Sequence, residues 1–64
     1  MNSADMTTEI KAEYKKLIDR LRRDIKAVND LQVKALLEVS AEVIGGLLKS
    51  VEDFERKEEP AWQQ

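Results

Sequence analysis

The side chains that most often do chemistry near neutral pH are histidine and cysteine, and this chain of 64 residues has neither. That removes zinc sites, Cys-His nucleophiles and the Glu-x-x-His di-iron pattern together. Three groups with chemical potential remain. Glu38 and Glu42 stand one helical turn apart, the spacing of a paired carboxylate or a weak cation site, but they fall on the charged side of their segment and read as solvating residues. Arg20, Arg22, Arg23 and Lys26, preceded by Lys15 and Lys16, form a basic cluster of the kind that meets nucleic-acid phosphates. No aromatic residue interleaves them for base stacking, and they spread over two sides of a helix, so a solvated face is the preferred reading. Trp62, the only tryptophan, lies beyond Pro60 and either folds back or anchors a partner. The expectation is a protein without catalytic residues, metal or cofactor, and not an enzyme.

The elements that carry these groups follow from periodicity. Charged residues make up 38% of the chain and apolar ones 42%, with two glycines and one proline, a composition that suits long helices. Residues 1–6 are expected to be disordered, and Thr7 or Thr8 to cap a first helix over about 8–28. Ile10, Tyr14, Leu17, Ile18, Leu21, Ile25 and Val28 recur along it at spacings of three and four, a stripe roughly 100° wide. Asn29-Asp30 marks a turn, with Asn29 and Gln32 resembling a capping pair. A second helix over about 31–57 carries an apolar arc of roughly 200° and favourable Glu52–Arg56 and Asp53–Lys57 pairs. Pro60 ends it, leaving 58–64 as a flexible tail. The fold class is all-α, a two-helix hairpin; the alternative is one continuous helix in a coiled-coil assembly.

Gly45-Gly46 interrupts the second helix at a cost of about 1 kcal/mol per glycine relative to alanine. Three readings compete: a hinge or second turn, a surface where the pair is tolerated, or a flank of small residues (Gly46 with Ser40 and Ser50) where another helix comes close. On that flank the serine hydroxyls would bond back to the preceding turn.

An arc of 200° faces two neighbours, and a hairpin supplies only one. The sequence therefore predicts a homodimer forming a four-helix bundle, with the second helices paired near the symmetry axis and the first helices outside. Its interface residues are Leu36, Val39, Ser40, Val43, Ile44, Leu47, Leu48, Val51 and Phe54. Residues 9–28 carry seven basic and four acidic side chains and residues 30–59 four and eight, opposite halves that favour antiparallel packing. In length, turn position and helix content the chain is similar to the Rop family of plasmid-copy-number hairpins, and comparable in size to the helical co-chaperones of type III secretion. No motif is shared, so the likeness implies architecture alone. Residues 30–42 also resemble part of the granule-coating phasins.

The functional expectation is a small interaction module that pairs with itself and binds another protein as adaptor, inhibitor or regulator. A nucleic-acid-binding regulator using the first helix is the main alternative, and an amphipathic coat on a granule or membrane surface the third. The acidic polar side of the second helix weighs against the last of these. No run is apolar enough to span a bilayer, and the first residues lack a signal sequence, which makes the cytoplasm the expected compartment.

Overall fold

The structure, a computed structural model, describes residues 2–57. Its first helix starts where a short polar side chain can serve the orphan amides of a helical first turn. Asn2 has extended backbone, and its side chain accepts a 2.9 Å bond from the Asp5 amide. Helix α1, Ser3–Ala27, therefore begins earlier than the expected 7 or 8. Thr7 and Thr8 lie inside the helix instead, their hydroxyls 3.1 and 2.9 Å from the Ala4 carbonyl. Residues 3–6 are therefore helical rather than disordered, because the Asn2 side chain supplies the cap expected from threonine.

Val28 ends α1 by switching to extended backbone while its amide still donates to the Asp24 carbonyl at 2.8 Å. Asp30 then starts helix α2, Leu31–Lys57: one carboxylate oxygen accepts from the Gln32 and Val33 amides at 2.8 and 3.1 Å. The cap is Asp30, one residue after the expected Asn29, and a full carboxylate at this position also suits the positive end of the helix dipole. This short link reverses the chain without any positive-φ residue among those described. A continuous helix is thereby excluded, and α1 and α2 pack antiparallel as a hairpin.

Two rows at alternating spacings of four and three make the contact, the 3.5-residue repeat of coiled-coil seams. On α1 the row is Thr7, Lys11, Tyr14, Ile18, Leu21 and Ile25, continued by Val28, all buried or half-buried. On α2 it is Lys34, Leu37, Ala41, Ile44, Leu48, Val51 and Glu55, all half-buried, and Glu55 reaches across to α1. Only Ile18 and Leu21, each 8% exposed, are buried among the described residues. Among the described residues the two helices form a single layer, so the core is two side chains deep in a fold about 40 Å long.

Candidate interaction surface

The open end of the hairpin is held by a polar clasp. Lys11 Nζ lies 2.7 Å from Glu55 Oε1, and the Thr7 hydroxyl is 2.9 Å from Glu55 Oε2. All three belong to the inward rows, where most positions are apolar. Hydrogen bonds from Lys11 and then Thr7 hold the Glu55 carboxyl below its usual range, against the opposing effect of desolvation. The clasp fixes register: with Thr7 level with Glu55 and equal rise along both helices, Leu17 stands level with Gly45.

The remaining apolar side chains form a second pair of rows. Met6, Ile10 and Leu17 on α1 are exposed, each one residue before a member of the inward row. On α2 the row one residue before the inward one is Leu36, Ser40, Val43, Leu47, Ser50 and Phe54. One residue is a turn of about 100° in the same sense on both helices. Because the helices are antiparallel, equal turns of the same sense bring both rows to the same broad side of the hairpin. Leu36 is 63% exposed, Val43 56% and Phe54 49%, and Val39, at 57%, extends the patch over the outer edge of α2. Together these apolar side chains expose on the order of 700 Å², more than the 300–600 Å² largest patch of a typical monomer and close to one partner's share of a standard interface.

The nine residues expected at an interface thus divide in two. Leu36, Val39, Val43, Leu47 and Phe54 are exposed, with half-buried Ser40 among them; Ile44, Leu48 and Val51 belong to the row that carries Glu55 and faces α1. Sequence reasoning placed Ile10 and Leu17 in the stripe of α1 that packs inside the hairpin. The structure puts them on the exposed side with Met6, which joins the row because α1 begins at Ser3 rather than at 7 or 8. The signal that separates the rows is strict four-three alternation, which runs through Tyr14 and Ile18 and omits Leu17.

Ser40 and Ser50 donate to the carbonyls of Leu36 and Gly46 at 2.9 and 3.0 Å, as expected from their place in the arc. Both hydroxyls are therefore satisfied within α2 and leave the face without an unpaired polar group. Gly45 and Gly46 lie within uninterrupted helix, which excludes the hinge reading, and a Cβ at either would meet nothing within 4 Å.

The charged groups sit elsewhere. Glu38 and Glu42 are both exposed. Arg20 is 3.7 Å from Asp24, a carboxylate of its own helix, and Lys16 is 3.8 Å from Glu13. Arg22, Arg23 and Lys26 are exposed, and the helical period turns Arg22 and Lys26 to the broad side opposite the apolar rows. Arg56 pairs with Asp53, three residues back, where Glu52 was the expected partner. Trp62, Pro60 and the proposed tail lie outside the described residues.

Comparison with protein-family models, with curated proteins and with solved structures gives no match for this chain.

Proposed function

We propose that this chain is a non-enzymatic interaction module, a helical hairpin that acts through its apolar broad side, dimerising and binding a partner protein as adaptor, inhibitor or regulator. The observation that supports this reading is the exposed row pair itself. With Ile18 and Leu21 the only buried side chains among the described residues, one half-buried seam has to offset a conformational cost of about 1–2 kcal/mol for each ordered residue, whereas covering the second side would roughly double the buried apolar contact. Helix–helix association supplies that cover without any reactive group.

Nucleic-acid binding by Arg20, Arg22, Arg23 and Lys26 gains less support, because Arg20 is already beside Asp24 and the others lie away from the apolar face. A granule or membrane coat would use the same apolar side. No helix among the described residues is long and apolar enough to cross a membrane.

Photo-crosslinking from position 39, at the edge of the patch, tests the reading in native cells. Adducts with protein, including a second copy of the chain, that disappear when Leu47→Glu is added are the expected result. Adducts confined to nucleic acid or lipid would overturn it.

A further inference from the structure

The exposed rows contain enough pattern to specify how a second copy would sit on them. The apolar side chains of this side expose on the order of 700 Å², comparable with the roughly 800 Å² that each partner of a standard interface buries. Resting on the reading of this side as a partner-binding surface, we propose that its occupant is a second copy of the chain turned end for end. The two-fold axis is perpendicular to the helices, level with Leu17 and Gly45, and sets α1 on α1 and α2 on α2.

Both rows are self-complementary about that one level. On α2, reversal about Gly45 brings Val43 onto Leu47, Ser40 onto Ser50 and Leu36 onto Phe54 of the second copy. Large apolar side chains meet large ones, and the two small layers meet each other. On α1, where the row reads Met6, Ile10, Glu13, Leu17, Arg20, Asp24 and Ala27, reversal about Leu17 brings Leu17 onto itself and, to within one residue of level, Glu13 onto Arg20 and Met6 onto Ala27. Only Ile10, which meets Asp24, is poorly matched. The levels chosen by the two helices need not have agreed; the Thr7–Glu55 register makes them the same level.

Competing arrangements fail on charge. A two-fold parallel to the helices keeps every level and would lay α1 on α2 of the second copy, setting Glu13 beside Ser50 and Leu47, Arg20 beside Val43, and Asp24 between Ser40 and Leu36. Desolvating those charges against apolar or neutral neighbours is unfavourable. Sliding the end-for-end dimer by one heptad places Glu13 against Glu13 in one direction and Arg20 against Arg20 in the other. Like charges facing across a seam select register in paired helices. The proposed level is the one that makes both Glu13–Arg20 contacts attractive. The intrachain neighbours Lys16 and Asp24 are 3.8 and 3.7 Å away on exposed side chains, pairs too weak to prevent the exchange.

Charge reversal tests the axis. Glu13→Arg and Arg20→Glu, each alone, turn two attractive contacts into two repulsive ones and are expected to weaken self-association about tenfold. Mixed in equal amounts, the two variants complement each other and form a heterodimer well above the statistical half, with an affinity near that of the wild type. Leu17→Cys, on the axis, is expected to give a disulfide-linked dimer on mild oxidation, while Lys15→Cys on the opposite side is not. A wild-type dimer whose variants show no preference for each other, or in which Leu17→Cys fails to link, overturns this arrangement and leaves the interaction surface standing. A wild type that does not self-associate overturns the second copy as occupant.

Discussion

Replacing Val43 by glutamate separates the two sides of this hairpin. Val43 is 56% exposed in the single chain, so its substitution removes little packing from the hairpin itself, where surface changes stay within about 0.5 kcal/mol. In a dimer the same residue is covered. Full burial of a valine is worth about 1.5–3 kcal/mol, so covering the exposed half contributes about 1 kcal/mol per chain and about 2 kcal/mol per dimer. A carboxylate forced into that seam adds a desolvation cost of at least about 1–2 kcal/mol on each side. The sum, above about 4 kcal/mol, corresponds to at least a thousandfold weaker association. Because Ile18 and Leu21 are the only buried side chains among the described residues, loss of the dimer carries loss of helix with it. Sedimentation velocity and far-ultraviolet circular dichroism on Val43→Glu should show a monomer with most of its helicity gone at micromolar concentration. Glu38→Gln, on the charged side, should match the wild type in both. Val43→Glu with wild-type mass and helicity would show that this face is left uncovered.

Two further outcomes follow from the clasp and the glycines. The Glu55 carboxyl is held below its ordinary value of 4.5 in the folded chain, so its contribution to stability is complete above that value and is lost as the pH falls through the lower, folded one; thermal melts of wild type should lose stability on acidification over that range, and Glu55→Gln should flatten the dependence. Alanine at Gly45 or Gly46 should raise stability by about 1 kcal/mol at each site, about 4–8 °C in melting temperature for a domain this small, since nothing lies within 4 Å of the added Cβ. A fall in association with Gly46→Ala would instead show that a partner helix approaches at the outer edge of α2.

Much of this architecture is legible in the spacing of apolar residues. The three-and-four recurrence from Tyr14 to Val28, the polar Asn29-Asp30 step and the wide arc from Leu36 to Phe54 are enough for two helices and a reversal between them. What periodicity cannot rank is one capping residue against its neighbour. Asn2 and Asp30 prevail over Thr7, Thr8 and Asn29 by hydrogen bonds to particular amides, and these depend on local backbone rather than residue type. Nor does a wide arc say where it divides. The division between Ile44, Leu48 and Val51 on one side and Leu36, Val43 and Leu47 on the other depends on the register of α2 against α1, which the Lys11–Glu55–Thr7 clasp fixes between residues far apart in the chain. The same register brings Ile10 and Leu17 beside the exposed row of α2, a juxtaposition that a single helical wheel does not contain.

On the proposed reading the broad apolar side is covered by another protein surface, and in the isolated chain by a second copy. Sedimentation equilibrium of the purified wild-type chain, with circular dichroism read at the same dilutions, tests it most directly. The expected result is twice the 7.4 kDa chain mass at micromolar concentration, with mass and helicity falling together on dilution. A monomer that keeps full helicity at every concentration would contradict it.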